Sequence, residues 1–344
     1  MVQYRMKKFL RSYTMKKILT LTLCMLMLVS TVLVGCSKTG SGDSADATAK
    51  FGCGIYVTAP TTTDATEDKD GAGKVDVTIA AITVDENGKI VSCQLDTASN
   101  TVNYTADGKC VANEEFKTKY EIGADYNMVA YGGASKEWFE QADAFEAFVA
   151  GKTLDEVKAL VAEGNKGTEE VINAGCTIMI NEFVNAIAKA FDNVSAEVKA
   201  DSALKINVVT EQTCTDATED KDGSNKIAVN IFAAACDSEG KVVAATSDCV
   251  EVEFKFDTKG ASTLDTTKDV LTKKEQGADY GMVAYGGAAK EWFEQAEAFD
   301  SVCIGKTAEE IAGLIADDGK GVSEVQTAGC TIYVSGFVKA ASKN

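Results

Sequence analysis

The chain states most of its content twice, and that property limits its possible folds more than any other. Residues 121–145 (EIGADYNMVAYGGASKEWFEQADAF) return at 275–299 as EQGADYGMVAYGGAAKEWFEQAEAF, with four differences. The nonapeptide TDATEDKDG at 63–71 returns unchanged at 215–223, and AGCTI at 174–178 returns at 328–332. A spacing of about 150 residues is far too long for a solenoid unit. The expected architecture is therefore two tandem copies of one globular domain, at 51–191 and 204–344, with a linker at 192–203.

The N-terminus reads as an export signal. Lys16 and Lys17 precede an apolar run at 18–34, which closes as Leu33-Val34-Gly35-Cys36. Small residues before a cysteine form a lipobox, in which cleavage precedes Cys36 and a diacylglyceryl group joins its sulfur. The apolar run alone could be a membrane span, but a span has no reason to end in Gly-Cys. Residues 1–35 are thus expected to be a lipoprotein signal peptide, and 36–50 the lipidated Cys36 followed by a flexible, almost apolar-free tether. The implied location is the outer face of the cytoplasmic membrane.

Charge narrows the partners. Of 34 Lys and Arg, six precede Cys36, and none of the 52 acids do, so the processed chain carries 28 − 52 = −24. Such a surplus argues against nucleic acid and against adhesion to anionic lipid heads, leaving the lipid anchor as the membrane contact. The chain has no histidine, which removes Ser-His-Asp and Cys-His catalysis, imidazole haem ligation and His-bearing zinc sites. Paired carboxylates show no spacing tied to acid/base work. An electron carrier or a binding protein fits better than a classical enzyme.

Cys24 and Cys36 aside, nine cysteines remain, and only Cys176 and Cys330 fall at matching places in the two copies. A staple within each domain would recur in both, so the others read as small buried hydrophobes; Val149 stands opposite Cys303, and Val84 opposite Cys236. Exported free thiols point to an anaerobic Gram-positive host.

Each copy opens with strands and closes with helices. Val75, Val77 and Ile79 alternate with polar residues, as do Ile227, Val229 and Ile231. Asp85-Glu86-Asn87-Gly88 and Asp237-Ser238-Glu239-Gly240 are hairpin turns, and a further hairpin is expected at Asp107-Gly108. Trp138, Ala142, Phe145 and Val149 lie at helical spacing, and Trp292, Ala296, Phe299 and Cys303 repeat it. Capping boxes at Thr153–Glu156 and Thr307–Glu310 open a second helix, and a third carries Phe183, Val184 and Ile187. The expected class is α+β, each copy being an antiparallel sheet with about three helices and its own core.

Three recurrent features are candidates for function. Gly175-Cys176-Thr177 and Gly329-Cys330-Thr331 stand just before the last helix of each copy. A hydroxyl there would meet free N–H groups and a dipole favourable to phosphate, with glycine allowing close approach; equally, the segment reads as a buried turn capped by threonine. Tyr131-Gly132-Gly133 and Tyr285-Gly286-Gly287, leading to Trp138 and Trp292, could wall a planar ring, or form tight turns whose aromatics fill the core. Glu67-Asp68-Lys69-Asp70-Gly71 and its copy read as a solvated acidic loop or a calcium loop, although the EF-hand spacing fails.

The strand–turn–strand KVDVTIAAITVDENGKIVSC, followed much later by GCT and an apolar helix, resembles the FMN-binding domain family of tandem-domain surface lipoproteins in Gram-positive bacteria. That resemblance implies flavin-carrying electron transfer outside the membrane, with a membrane redox partner. It makes Thr177 and Thr331 the acceptors of a covalent FMN phosphodiester, with Gly175 and Gly329 in the motif glycine's place. Ala174 and Ala328 stand where the family has a hydroxyl, and Cys176 and Cys330 where it has alanine. The other reading is a non-enzymatic lipoprotein binding a small-molecule ligand or an envelope polymer.

Overall fold

The computed structural model describes residues 47–343; the expected signal peptide and the expected lipidation site at Cys36 lie outside them. The expected tether ends earlier than Lys50, because strand β1 (Thr48–Val57) already begins at Thr48. β1 pairs antiparallel with β3 (Gly71–Val84), which pairs with β4 (Ile90–Tyr104) through the Asp85–Gly88 turn. Short β2 (Thr61–Thr63) adds to β3, and β5 (Cys110–Val111) adds to β4 after the Asp107-Gly108 turn. Helices follow: α1 (Lys119–Ile122), α2 (Trp138–Val149), α3 (Leu154–Lys158), α4 (Glu169–Ala174) and α5 (Asn181–Asp192).

The segment expected as a linker is not one. Its residues Ala196–Lys199 form β6, which pairs with Thr48–Phe51 and completes a six-stranded sheet ordered β5-β4-β3-β1-β6. The second half then runs β7 (Ala203–Thr215), β8 (Gly223–Cys236) and β9 (Val242–Phe256) in a three-stranded antiparallel sheet. Its helices are α6 (Lys273–Gln276), α7 (Trp292–Cys303), α8 (Ala308–Ala312), α9 (Ser323–Ala328) and α10 (Ser335–Ala341). Among the described residues each half has five α-helices rather than about three; α1, α4, α6 and α9 are too short for hydrophobic periodicity to reveal.

Both capping boxes expected from sequence are formed, at Thr153/Glu156 and Thr307/Glu310. Helix α5 lies so close on β1 that a methyl group on Gly54 would overlap the Ala186 carbonyl and the Ala190 amide. Glycine is therefore required there by the approach of two backbones.

Helices cover one face of each sheet, and the other two faces pack on each other. Alternate residues of β3 divide between these layers: Ile79 and Ala81 point to the sheet–sheet core, Ala80 and Ile82 to the helix side. That is why Ile79–Val84 and Ile231–Cys236 are unbroken runs of small or apolar residues with no exposed position. Each half does bury a core of its own on the helix side, as expected, but a further apolar layer that was not expected is shared between the halves. Phe51, Val77, Ile79 and Val102 share one cluster with Val208, Val229, Ile231 and Phe254.

Contacts between the halves are reciprocal. The Ala65 amide donates to the Gly260 carbonyl (2.8 Å), and Ala217 to Gly108 (2.8 Å). Asp64 accepts from the Ser262 amide (2.8 Å), and Asp216 from Cys110 (2.9 Å). Lys189 pairs with Glu275, and Lys343 with Glu121. Tyr104 and Phe256, equivalent positions, stack on each other with ring centroids 4.6 Å apart. Each surface meets the other's counterpart, the relation found in a two-fold dimer.

A disulfide joins Cys110 to Cys214, across the halves. The premise that staples lie within a copy therefore hid it: the bond links non-equivalent positions, whose counterparts are Ser262 and Thr62. The other seven cysteines among the described residues are free. Burial pushes Cys176 and Cys330 up to about 11 and Cys249 to about 12, so these thiols act as packing groups rather than nucleophiles.

Candidate functional site

Gly175 ends α4 in the left-handed conformation (φ 109°), and Gly329 ends α9 likewise (φ 107°). The Cys176 and Cys330 side chains turn into the helix-side cores, which leaves Thr177 and Thr331 facing outward and exposed. Neither threonine caps the next helix. Thr177 donates both its amide (2.8 Å) and its hydroxyl (2.9 Å) to Gln141 Oε1, and Thr331 does the same to Gln295 (2.8 Å each). The N-cap positions of α5 and α10 are instead Ile180 and Val334, without side-chain caps.

Gln141 and Gln295 are the residues that sequence reasoning missed. Both are buried, and their Nε2 groups donate to the Lys136 and Lys290 carbonyls (3.0 and 3.1 Å). Each glutamine thereby ties the Gly-Cys-Thr turn to the segment before α2 or α7. Their signal was present in the recurring EWFEQ, masked by its stronger aromatics. The Lys136 ammonium lies against Gly175 and that of Lys290 against Gly329, where a side chain in glycine's place would collide with it. An exposed hydroxyl and a cation thus share a small surface in each half.

The Tyr-Gly-Gly segments divide the two readings made for them. Trp138 and Trp292 are buried and fill the cores, packing edge-on to Phe183 and Phe337. Tyr131 and Tyr285 stand in solvent, at 88% and 92% exposure. The turns are held from beneath: Glu137 accepts from the Met128 and Val129 amides (2.9 and 3.1 Å), and Glu291 from Met282 and Val283 (2.9 and 3.2 Å). Gly133 and Gly287 adopt positive φ in these turns, while Gly132 and Gly286 sit against the Met128 and Met282 carbonyls.

The acidic nonapeptides have a structural task. Their Asp64, Ala65, Asp216 and Ala217 make the reciprocal contacts described above. No group of three or more Cys, Asp or Glu among the described residues is placed to hold a metal ion.

Two cavities open between the halves instead. One, of about 760 Å³, is bounded by β1 and the end of α5 on one side and by β9, α6 and α7 on the other. Its floor holds Asp248 and Asp300, both buried, with Lys274 between them. The Lys274 ammonium donates to Asp300 Oδ2 (3.1 Å) and Thr246 Oγ1 (2.8 Å), and its amide to Asp248 Oδ1 (3.1 Å). Burial works against the Lys274 charge, but Asp300 and Asp248 outweigh it and raise its pKa. Burial pushes Asp248 up to about 6.

A counterpart of about 320 Å³ is lined by Asp96, Thr118, Tyr120 and Lys343. Here Tyr120 stands in Lys274's place and donates its hydroxyl to Asp143. Lys343 pairs with Glu121, and no lysine among the described residues pairs with Asp96, Asp143 or Glu146. Burial pushes Glu146 up to about 8 despite the Leu95 amide that donates to it, with Asp143 and Asp96 adding to the shift. Between the ordinary value of 4.5 and about 8, the folded chain keeps a proton that the unfolded chain has released. Stability therefore falls as pH rises through that window. Glu146→Gln is expected to gain more than about 1 kcal/mol at pH 9 and almost nothing at pH 5, a shift of one unit being worth about that much. Urea titrations at both pH values check this; equal gains would refute it.

None of these cavities is lined by Thr177, Thr331, Tyr131 or Tyr285. No helix among the described residues is long and apolar enough to cross a membrane. No known protein family matches the chain. No curated protein and no solved structure matches it either.

Proposed function

We propose that this chain is an exported, lipid-anchored binding protein, built from two copies of one domain, that holds a small solute between its halves at the outer face of the cytoplasmic membrane. The observation that carries this reading is the inter-half cavity, whose volume suits a small organic ligand and whose floor concentrates buried polar groups. The Cys110–Cys214 disulfide agrees with an oxidising, extracytoplasmic location, and the lipobox at Cys36 with an anchor. The recurring sequence and the reciprocal contacts support duplication.

Protein purified from its native membrane is expected to release a bound compound on denaturation, detectable by mass spectrometry. Ser195→Trp, an exposed position lining the cavity, should abolish that release without lowering thermal stability. Release undiminished by this substitution would move the ligand elsewhere and defeat the reading.

A second reading is favoured by the exposed Thr177 and Thr331 hydroxyls with lysine ammonium groups beside the adjoining glycines. It makes them attachment points for FMN in an electron carrier. Coexpression with a flavin transferase should then yield a yellow protein with one flavin mass increment per threonine. Thr177→Ala with Thr331→Ala should remove both increments. A colourless product of unmodified mass would rule covalent flavin out.

A further inference from the structure

The larger inter-half cavity has a charge pattern that selects among solutes. Its walls carry five carboxylates, from Asp192, Asp248, Glu275, Glu297 and Asp300, against the two ammonium groups of Lys189 and Lys274. Both lysines are already engaged, Lys189 with Glu275 and Lys274 with Asp300 and Thr246. Asp300 is only 7% exposed, yet its Oδ1 has no hydrogen-bond partner among the described residues. A buried carboxylate oxygen left without a donor loses its hydration and gains nothing in exchange. A group that satisfies this oxygen is a donor, because a carboxylate can only accept. The surplus of negative charge favours a donor that is itself cationic. An anionic ligand would meet uncompensated carboxylates and no unpaired lysine.

Depth adds a second constraint. Asp248 and Asp300 lie buried, whereas Asp192 and Glu297 are exposed at the opening, with no ion-pair partner among the described residues. The lining also includes Ile55, Val243, Ala244 and Ile304, which offer apolar surface. Buried and exposed negative groups in one cavity that also carries apolar lining match a chain of methylenes bearing an amine at each end.

We infer that this cavity binds a small organic polycation of the aliphatic diamine or polyamine class, with one ammonium donating to Asp300 and another near Asp192 and Glu297. The inference rests on the solute-binding reading above and adds the class of ligand.

Isothermal titration of the lipid-free mature protein, using putrescine, cadaverine and spermidine as probes, tests it. Each diamine is expected to bind with one-to-one stoichiometry. The length-matched neutral 1,5-pentanediol and anionic glutarate should bind at least tenfold more weakly. Asp300→Asn should weaken cadaverine by at least tenfold. Because that change also touches Lys274, the exposed pair Asp192→Asn with Glu297→Gln serves as the second variant. It should weaken binding severalfold with an unchanged melting temperature.

Amine binding that survives Asp300→Asn and Ser195→Trp undiminished would reveal nonspecific attraction to an acidic surface and overturn the inference. Absence of amine binding overturns it too, and native ligand release then separates the two claims. A neutral or anionic compound whose release Ser195→Trp abolishes would leave the solute-binding reading standing; a native protein that releases nothing would end both.

Discussion

Residues 47–200 or 203–343, produced as separate chains, are expected not to yield a folded monomer. Ten of the 21 residues in the sheet–sheet cluster come from the first half and eleven from the second, so separation exposes the whole inner face of each sheet. Burying a Val, Ile or Phe side chain is worth roughly 1.5–3 kcal/mol, and a whole domain's net stability is about 5–15 kcal/mol. Losing even half of that burial exceeds what either helix-covered core can offset. Each half should aggregate, or self-associate through the same face into a homodimer that replaces the missing half. Light scattering with circular dichroism distinguishes these outcomes. A monomeric half that melts cooperatively would show that the helix-side cores suffice and that the shared cluster is dispensable.

The second large effect concerns the Cys110–Cys214 bond. It closes a loop of 104 residues, and a loop of that length removes enough unfolded-chain entropy to stabilise by about 4–5 kcal/mol in the chain-entropy model. Both cysteines sit on rims rather than in a core, so replacing them creates no cavity. Cys110→Ser with Cys214→Ser should lower guanidinium stability by about 2–5 kcal/mol, and a reductant should lower the parent chain by the same amount while leaving the variant unchanged. Equal stability of the parent with and without reductant would show that the bond contributes nothing.

These results depend on how the two halves meet, and that is where sequence reading fell short. The helices over Trp138, Thr153 and Phe183, with their copies, were legible because apolar residues at helical spacing and capping boxes are local signals. So were the turns at Gly88, Gly108 and Gly240, each of which adopts the positive φ that favours glycine. The runs Ile79–Val84 and Ile231–Cys236 did carry a warning. A strand with no polar alternation is covered on both faces, and helices supply only one cover. The alternating residues just before them drew attention to the simpler pattern.

The candidate site was legible only in part. Thr177 and Thr331 were singled out and do face outward, but the sequence could not show that Gln141 and Gln295, 36 residues earlier in each case, occupy their hydroxyls and amides. Tyr131 and Trp138 looked like one aromatic group, yet a turn anchored by Glu137 sends one to solvent and the other inward. The cavity was invisible because its walls come from β1 and α5 of one half and β9, α6 and α7 of the other, and neither copy alone contains it.

By itself, the sequence determined that long segments recur about 150 residues apart, where the main hairpins and the periodic or capped helices lie, and which chemistries are closed to a chain without histidine. These follow from spacing, capping and residue type, all readable within about 20 neighbouring positions. Only the tertiary structure decided that the two units share one apolar layer, that Cys110 reaches Cys214, and that acids from opposite halves face one space. The physical reason is that an apolar sheet face specifies that it must be covered, while its partner is chosen by the shape and reciprocity of surfaces more than a hundred residues apart.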